Sequence, residues 1–567
     1  MAVDVAAAAA GRRRDRFVLA AGLAASFVLC LGPIFNPDLP WHLAAAKRIV
    51  ETGAVPRTDF LSWTKAGLPW IDFEWGTQLI FYGVERAGGS GALWLFKVSG
   101  FFGLALFLTA LLRLWELPVL WAGLAAPVLM RALLPSIDIR PELFSLIFFS
   151  VQLYALERKR LGLLRLSDGA ALAAQVALYA LWANLHAGFP MGLILCAAYG
   201  AAEFARSRER AFRSSAAAWA AAGLLGTLIN PYGFGVYTIL WEHARQLSIL
   251  HHVIIEWGEP NLVNEFEYGY WAVIVFSYLG FLLAWARRRA MPLEHFFSLV
   301  VFSLFAARFM RTTSYAALTL FPFSLLAWHG LSSPPWWLKS RPWILGLCLA
   351  AGAWNAGRLL RAEGVPRRIS IIGANGPMQA FAFLRAEKPV LGSLPLYNNL
   401  SWGGLIDYVL YPDYKAFMDG RYIFTDMLIE LDSAHKNPVL WRKMLDDRGV
   451  GVALIENNGH RARLGTVATW RAYEAVGMPR ADWALVYWDY TAMVVVRRSK
   501  APAAWLRLHE YRYLWPRDLR HLGLTIMDGE VKLKDVEAEI DRYQREIGDP
   551  AEVYFLRSWL KEFEKGQ

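Results

Sequence analysis

Apolar stretches long enough to cross a lipid bilayer recur along this chain, and they constrain its fold more than any other feature. A hydrophobic core of roughly 30 Å requires about 20 apolar residues, and in lipid such a segment must satisfy its backbone as a helix. The candidate spans are residues 17–35, 92–112, 117–134, 141–156, 168–184, 187–204, 214–230, 268–286, 293–307, 313–331 and 342–360. The sequence therefore predicts an α-helical polytopic membrane protein with about eleven transmembrane helices.

The composition supports this class of protein. The 567 residues are 56% hydrophobic and 14% aromatic, and only 19% are charged, which is typical of polytopic membrane proteins. A net charge of +11 would indicate nucleic-acid binding in a soluble domain, but here the basic residues stand in short clusters between apolar runs, where they orient helices. We therefore expect no nucleic-acid partner. Cys30, Cys196 and Cys348 lie in predicted spans without metal-ligand spacing, so we expect small core residues.

Basic clusters in alternate loops predict the orientation in the membrane. They are "RRRDR" at 12–16, Arg113, "ERKR" at 157–160, "RSRERAFR" at 206–213, "ARRRA" at 286–290 and "LKSRP" at 338–342. The positive-inside rule places these loops in the cytoplasm. The loop 36–91, the loop 230–268 and everything after about Arg361 are then outside. The first apolar run, about 19 residues, exceeds a cleaved signal, so we expect a retained first helix.

The chain after about residue 362 changes character, and three domains are predicted. Residues 1–362 form the transmembrane domain with its large first outer loop 36–91, residues 363–502 a periplasmic α/β domain, and residues 503–567 a helical segment. The segment "GPMQAFAFLRAE" predicts a helix, "VGVALIEN" a buried strand, "WALVYWDYTAMVVVRR" one or two strands, and "LKDVEAEIDRYQREIG" with "DPAEVYFLRSWLKEFEKG" a helix pair around a Gly-Asp-Pro turn. We expect a bacterial inner-membrane protein with this C-terminal domain in the periplasm.

Charged side chains near the predicted spans collect at their outer ends. They are Asp38, Arg131, Asp138, Arg140, Glu142, His186, Arg308 and Arg311. Charges at membrane depth default to a functional role, and guanidinium groups bind phosphate oxygens through charge-assisted, often bidentate hydrogen bonds. We predict that Arg131, Arg140, Arg308, Arg311 and His186 bind the phosphate of an anionic lipid. Interfacial anchoring of these arginines is the alternative.

The first outer loop supplies candidate catalytic groups for sugar transfer from a lipid-linked phosphate. Such a reaction needs a carboxylate as general base and cations for the departing phosphate. Asp38 follows the first apolar run by about three residues and is the leading candidate for the base. The other candidates are His42, Asp59, Asp72 and Glu74. The loop acids could instead position the acceptor or bind a divalent cation, Mg²⁺ or Mn²⁺. An N-cap role is the alternative for Asp38, and a packing role is the alternative for the histidines.

Residues 15–330 resemble the C-type (GT-C) polytopic membrane glycosyltransferases, with the greatest likeness to bacterial relatives of protein mannosyltransferases and aminoarabinose transferases. The likeness lies in "NPDLPWHLAAAKRIVETGAVPRTDFLSW" at 36–63 and in "IRPELFSLIFFSVQLYALER", "WANLHAGFPMG" and "NPYGFGVY". It implies an essential first-loop aspartate, which Asp38 matches by position, and a donor that is a polyprenyl-phosphate or dolichyl-phosphate sugar or the corresponding diphosphate. Two features depart from the mannosyltransferases: Asp38 stands alone where many show an Asp-Glu pair, and the "HPPLGK"-like element is absent.

Two further motifs have plain structural interpretations. "WDY" at 488–490 is similar to an oligosaccharyltransferase acceptor motif but lies in an alternating strand pattern, and "FMDGRYIF" at 417–424 predicts a turn held by an Asp419–Arg421 ion pair.

We predict an inverting glycosyltransferase whose acceptor, outside the cytoplasm, is a protein, a lipid or a polysaccharide. A transporter or flippase would need charges near mid-membrane and two related halves. A non-catalytic envelope scaffold is the third hypothesis.

Overall fold

The computed structural model describes residues 2–206, 215–262, 267–330, 376–457, 478–516 and 519–564. The chain divides into two compact units, and each contains more than one stretch of sequence. The first unit comprises Met1–Asn36, Ala45–Pro56 and Ile71–Gly373. The second comprises Pro37–Ala44, Arg57–Trp70 and Ala374–Gln567.

Helices dominate the described chain up to residue 330. They are α1 (Ala2–Cys30), α2 (Leu39–Thr52), α3 (Trp75–Leu114), α4 (Val119–Ala132), α5 (Glu142–Arg160), α6 (Asp168–Leu185), α7 (Phe189–Arg206), α8 (Ala216–Thr227), α9 (Gly235–Val253), α10 (Tyr268–Ala286), α11 (Leu293–Arg308) and α12 (Thr313–Gly330). Each of the first ten predicted spans coincides with one of these helices. The eleventh, 342–360, lies outside the described residues, as do "LKSRP", Cys348 and most of "RSRERAFR".

Two of the described helices, Trp75–Leu114 and Tyr268–Ala286, are long and apolar enough to cross a membrane by length and composition. The count of eleven spans therefore stays a prediction. The longer of the two contains a kink, because Gly88 and Gly89 have non-helical backbone angles and Gly89 has a φ of 63°. Glycine accepts that conformation without a steric cost.

Small residues bring helices of the first unit close together. A methyl group on Gly22 of α1 would overlap the backbone of Gly123 in α4, and one on Gly123 would overlap the backbone of Val18. Such contacts between small residues let helix backbones approach where lipid offers no hydrophobic driving force. The buried Cys30 and Cys196 belong to the apolar core of this unit, as the sequence predicts.

The second unit contains a four-stranded mixed sheet in the order β1-β2-β4-β3. Its strands are β1 (Leu396–Asn398), β2 (Val452–Glu456), β3 (Trp483–Trp488) and β4 (Ala492–Arg497). The first pair is parallel and the other two pairs are antiparallel. The predicted strand in "VGVALIEN" is confirmed, and "WALVYWDYTAMVVVRR" forms two strands of a hairpin. The helices of this unit after residue 376 are Met378–Ala386, Lys388–Leu391, Leu400–Val409, Thr425–Lys436, Pro438–Asp447, Ala503–His509, Leu519–Met527, Leu533–Glu546 and Pro550–Glu564.

The C-terminal helices share one hydrophobic core with the sheet. Trp488 at the end of β3 stacks on Tyr543, with ring centroids 4.0 Å apart, and Val536 and Leu556 are buried in the same cluster. The "WDY" motif forms the hairpin turn, where Oδ1 of Asp489 accepts hydrogen bonds from the backbone N–H groups of Thr491 and Ala492 at 2.7 Å. Residues 503–564 therefore pack as part of the α/β unit, and the motif has the strand-and-turn role that its pattern indicates.

Two parts of the first loop also belong to the second unit. In residues 57–70 the backbone N–H of Trp63 donates to the carbonyl of Ala416 at 3.1 Å, and its indole N–H donates to Leu396 at 2.9 Å. The hydroxyl of Thr64 donates to the carbonyl of Phe417 at 2.5 Å. The sequence assigned the whole loop 36–91 to the transmembrane domain. Residues 57–70 belong to the second unit instead, because they form hydrogen bonds with residues more than 300 positions away.

Candidate functional site

Asp38 lies in a closely packed setting within the second unit. It is partly buried, and its Oδ1 accepts a hydrogen bond from the indole N–H of Trp41 at 3.3 Å. Its backbone carbonyl accepts from His42 N–H at 3.2 Å, as expected where α2 begins. A methyl group on Gly420 would overlap the Asp38 carboxylate. The predicted base is thus held against the turn 419–421 and retains some exposure to solvent.

His42 is packed and electrically neutral. Its side chain is buried, and its ring lies 3.6 Å from that of Trp41. Burial lowers the pKa of His42 to about 3, because a buried imidazolium loses its hydration. An imidazole with that pKa takes up a proton poorly near neutral pH. The structure therefore favours the packing role for His42.

Asp59 takes part in a buried ion cluster with Arg421 and Asp419. Nη1 of Arg421 lies 2.7 Å from Oδ1 of Asp59, and Nη2 lies 2.6 Å from Oδ2 of Asp419. All three side chains have no exposed area. The Asp59 carboxylate also accepts hydrogen bonds from Leu61 N–H at 3.1 Å and from the Ser62 hydroxyl at 2.5 Å. This geometry favours a structural role for Asp59, since the carboxylate oxygens accept hydrogen bonds from Arg421, Leu61 and Ser62 and are shielded from solvent.

The predicted turn in "FMDGRYIF" is confirmed. Nε of Arg421 donates to both oxygens of Asp419, at 2.9 and 3.0 Å, and the Arg421 backbone N–H donates to Oδ1 at 2.9 Å. Asp407 is buried beside this cluster, and burial followed by the charge of Asp419 raises the pKa of Asp407 well above its usual range. Burial therefore favours the uncharged form of Asp407.

The other two candidate acids of the first loop, Asp72 and Glu74, lie in the first unit. Asp72 accepts a hydrogen bond from the side chain of Gln78 at 2.5 Å, and its backbone N–H donates to the Tyr232 hydroxyl at 3.0 Å. Glu74 lies 3.8 Å from Nε2 of His186. Asp72 is fully buried, whereas Glu74 is partly exposed. Glu74 is therefore the more accessible of the two.

Hydrogen bonds at Nδ1 orient the ring of His186. Nδ1 lies 2.7 Å from the Ser145 hydroxyl and accepts from the backbone N–H of Gly188 at 3.1 Å. The Ser145 oxygen itself accepts from the indole N–H of Trp182 at 2.6 Å. Since Nδ1 is the acceptor, neutral His186 carries its proton on Nε2, the nitrogen that faces Glu74.

Three of the four predicted arginines contact one segment of the first unit, residues 254–259. Arg140 forms an ion pair with Glu256, and Arg308 forms one with Glu259 at 2.5 Å. The guanidinium carbon of Arg311 lies 5.5 Å from the ring centroid of Trp257. Burial raises the pKa of Glu256, but Arg311 and Arg140 outweigh it, so the pKa of Glu256 stays below its usual value.

Arg131 is the fourth predicted arginine. It lies in the last turn of α4, where its main chain and Cγ pack against Gly269 of α10. The structure thus groups Arg140, Arg308 and Arg311 around residues 254–259, and the main chain of Arg131 packs α4 against α10. Sequence reasoning missed Glu256 and Glu259, since acids in a long loop carry no local signal of the arginines they meet.

The described part of the chain contains no cluster of side chains that could hold a metal ion. Among residues 2–206, 215–262, 267–330, 376–457, 478–516 and 519–564, no group of three or more His, Cys, Asp or Glu side chains is arranged to hold a metal ion. The first-loop acids that we considered for Mg²⁺ or Mn²⁺ therefore do not fit as a ligand set, and we derive no step through a metal.

Comparisons with known proteins show similarity at the level of fold. No protein-family model matches the chain, and no curated protein matches it. The oligosaccharyltransferase of Archaeoglobus fulgidus in its apo form covers 78% of this chain and 70% of its own, at 11% identity and a TM-score of 0.50. The archaeal oligosaccharyltransferase AglB of that organism, in complex with an inhibitory peptide and a dolichol-phosphate, covers 87% and 75%, at 12% identity and a TM-score of 0.51.

A third solved structure, ArnT from Cupriavidus metallidurans in the apo state, covers 87% of this chain and 99% of its own, at 15% identity and a TM-score of 0.44. The oligosaccharyltransferase matches carry the conclusion that the chain has a GT-C-like fold. The resemblance noted in the sequence is confirmed at that level. Identities this low establish a fold and leave the activity to be argued from the residues.

Proposed function

We propose that this protein is a membrane glycosyltransferase that transfers a sugar from a polyprenyl-phosphate-linked donor to an acceptor outside the cytoplasm, with inversion at the anomeric carbon. The observation that carries the proposal is Asp38, a partly exposed carboxylate in the first loop of a GT-C-like chain, packed against Trp41 and Gly420. The dolichol-phosphate bound by the archaeal oligosaccharyltransferase supports a lipid phosphate as the donor class.

In this mechanism Asp38 acts as general base. It removes the proton from the acceptor group, whose heteroatom attacks the anomeric carbon as the bond between that carbon and the phosphate oxygen breaks. The phosphate departs with its lipid and carries the negative charge that develops in the transition state. A single displacement of this kind inverts the anomeric centre. Glu74 is the second candidate base, because it is partly exposed, whereas Asp72 is buried.

The phosphate half of the reaction is assigned to the arginines that contact residues 254–259. The charges of Arg140 and Arg311 lower the pKa of Glu256, and Arg308 forms an ion pair with Glu259. These side chains are partly exposed, so a phosphate can replace a carboxylate partner without the cost of uncovering a buried charge. Arginine suits this exchange because its planar guanidinium binds two phosphate oxygens at once.

His186 adds a hydrogen-bond donor to this proposal. Its Nε2–H is set by the acceptor role of Nδ1, and it lies near Glu74. We assign it to the donor phosphate, with Glu74 holding its ring in place. The sugar and the acceptor class, whether protein, lipid or polysaccharide, are open in this proposal, which places the enzyme in a bacterial inner membrane with the second unit in the periplasm.

The test is the release of polyprenyl phosphate by full-length protein reconstituted in lipid. A panel of polyprenyl-phosphate sugars serves as donors and a host envelope extract as the acceptor. Wild type is compared with Asp38→Asn and with Asp413→Asn, a control at an exposed acid that pairs with Lys388. We expect release by wild type and the control, and a loss of orders of magnitude in Asp38→Asn at equal folded yield.

Other outcomes would redirect the proposal. Activity that survives Asp38→Asn but disappears in Glu74→Gln would move the base to Glu74. An absence of release with every donor would contradict the transferase function. Donor flipping across the vesicle membrane without chemical turnover would instead favour a lipid transporter.

A further inference from the structure

Glycines form the surface against which the Asp38 segment packs in the second unit. A methyl group on Gly404 would lie 2.9 Å from the carbonyl oxygen of Pro37 and 3.2 Å from the backbone nitrogen of Trp41. One on Gly420 would overlap Oδ1 of Asp38 and lie 2.7 Å from its Cγ. Gly420 has no positive φ, so space rather than backbone conformation requires glycine there.

The glycine at 420 lies in a turn that other residues immobilise. A methyl group on Gly403, in the helix Leu400–Val409, would overlap the carbonyl of Met418 and lie 2.7 Å from Cα of Asp419. On the other side, Arg421 binds both Asp419 oxygens and fixes the turn from within. The backbone at 418–421 is therefore held by a helix on one side and by a buried ion pair on the other.

An aromatic chain connects Arg421 to Asp38 by a second route. The guanidinium of Arg421 lies 4.6 Å from the ring centroid of Trp70, and Trp70 makes an edge contact with Trp41 at 6.4 Å. Trp41 donates its indole N–H to Oδ1 of Asp38. Trp70 is fully buried and Trp41 nearly so, so these side chains have little freedom to adjust.

We propose that the turn at 419–421 and Trp41 orient the Asp38 carboxylate for proton abstraction, with Gly420, Arg421 and Trp41 as positioning residues. This inference rests on the proposed function, because it assigns Asp38 the role of base. In this proposal the α/β unit contributes to proton abstraction, because it contains the turn at 419–421. The carboxylate is confined on its Oδ1 side by the Gly420 backbone and by the indole donor.

The expected effect follows from the sensitivity of proton transfer to geometry. A displacement of about 1 Å at a reacting group can lower the rate by about 100-fold. In Gly420→Ala the new methyl group would displace the Asp38 side chain, since the turn beneath it is fixed. Binding of the lipid phosphate does not involve Oδ1 of Asp38, so the affinity for the donor should change little.

The experiment is a double-mutant cycle with the polyprenyl-phosphate release assay on full-length protein. Gly420→Ala is measured in wild type and in Asp38→Asn, and Gly83→Ala, at a helical glycine with open space around it, is the matched control. We expect Gly420→Ala to lower kcat about 10- to 100-fold with an unchanged KM for the donor. In the Asp38→Asn background the same substitution should have no further effect on residual turnover.

Trp41→Phe is the second variant, and it covers the case in which Gly420→Ala fails to fold. It keeps the aromatic packing on His42 and Trp70 and removes the N–H that binds Asp38. We expect a smaller loss of kcat, about 3- to 10-fold, which also disappears in the Asp38→Asn background.

Two results would overturn the inference. If Gly420→Ala and Trp41→Phe both kept wild-type kcat, the turn would not orient the base. If their losses multiplied with that of Asp38→Asn, they would act on stability or elsewhere in the protein. Full activity in Asp38→Asn itself would remove the role of Asp38 on which the inference rests, whereas an absence of release with every donor would contradict the proposed function, so the two failures are distinguishable.

Discussion

Two sets of ion-paired arginines, one in each unit, differ in their exposure to solvent. In the first unit, Arg140 has 28% of its side chain exposed and Arg308 has 55%, and their acidic partners are similarly open. In the second unit, Arg421 and its partners Asp59 and Asp419 have no exposed side-chain area. The two sets of ion pairs therefore have different roles. An exposed pair can exchange its anion, whereas a buried cluster holds the chain in place.

The energetic reason is the hydration of the separated charges. An exposed pair contributes about 0 to 1 kcal/mol, because water and salt screen it and solvate each partner when it opens. A buried pair has little net value against an apolar replacement, but removing one partner leaves an unsolvated charge and costs about 3 to 5 kcal/mol. Ligand exchange is therefore expected at Arg140 and Arg308, and structural loss at Arg421.

The largest expected effect is the loss of stability in Asp59→Ala. The substitution removes a buried carboxylate that accepts hydrogen bonds from Nη1 of Arg421, from the Leu61 N–H and from the Ser62 hydroxyl, and it leaves these buried donors without an acceptor. We expect the free energy of unfolding of the second unit to fall by about 3 to 5 kcal/mol, measured as the midpoint of chemical unfolding in lipid nanodiscs and as protection of residues 57–70 from proteolysis.

The matched control for that prediction is Asp426→Ala. Asp426 also pairs with the first-loop stretch, through Lys65 at 2.5 Å, but its side chain is 67% exposed. We expect a change within about 1 kcal/mol. Equal effects of the two substitutions would break the distinction between buried and exposed pairs.

The second expected effect is a loss of donor affinity when a partly exposed arginine is removed. Arg140→Ala and Arg311→Ala should each weaken binding of a polyprenyl-phosphate sugar about 10- to 100-fold, as charge-assisted hydrogen bonds to phosphate do. The unfolding midpoint should stay close to wild type. Equilibrium binding of a fluorescent donor in nanodiscs measures the affinity, and Arg113→Ala, at the predicted cytoplasmic end of α3, is the control.

Salt dependence sharpens this second prediction. Screening weakens contacts between exposed charges, so wild-type donor affinity should fall as salt rises and should fall less steeply in the arginine variants. A stability loss as large as that of Asp59→Ala would instead assign Arg140 and Arg311 a structural role like that of Arg421.

A smaller effect is expected from Asp407, through pH. Burial and the neighbouring Asp419 hold the pKa of Asp407 well above its ordinary value of 3.8. Because the unfolded chain releases this proton first, the contribution of Asp407 to stability is fully present below about pH 4 and is lost as the pH rises towards its folded-state pKa. Asp407→Asn imitates the uncharged acid, so its thermal midpoint should fall less than that of wild type between pH 5 and pH 7.

Asp413→Asn serves as the control for that series, since Asp413 is an exposed acid paired with Lys388. It should follow the wild-type pH dependence. A parallel decline in wild type and Asp407→Asn would show that Asp407 is already ionised in the folded protein.

The smallest effect is a gain of affinity in Glu256→Gln. Glu256 is the carboxylate that a phosphate would replace on Arg140, and its low pKa keeps it charged at neutral pH. Removing the competitor should tighten donor binding about two- to fivefold, in line with the modest value of exposed pairs. Weaker binding in this variant would mean that Glu256 orients the arginines rather than competing with the phosphate.

Sequence patterns predicted the local structure well. The apolar runs gave ten of the described helices, and the β-branched stretches at 452–456 and 492–497 gave two buried strands, because both depend on residue periodicity within a short window. The Asp419–Arg421 pair was also predictable, since its members are two residues apart. Asp38 could be selected from its position after the first apolar run.

Long-range partners were not predictable in the same way. Asp59 and Arg421 are 362 residues apart, and nothing near Asp59 distinguishes it from a surface acid in a loop. The union of residues 57–70 with the C-terminal unit depends on hydrogen bonds to Leu396, Ala416 and Phe417, which no periodicity encodes. The need for glycine at position 420 likewise follows only from the position of the Asp38 carboxylate in the folded chain.

The central claim is that Asp38 acts in the chemical step. A single-turnover measurement with saturating polyprenyl-phosphate sugar tests it most directly, with donor affinity determined on the same samples of wild type and Asp38→Asn. We predict that the rate of sugar transfer falls at least about 100-fold in Asp38→Asn while donor affinity and folded yield match those of wild type. An unchanged transfer rate, or a loss confined to donor affinity, would contradict the role of Asp38 as general base.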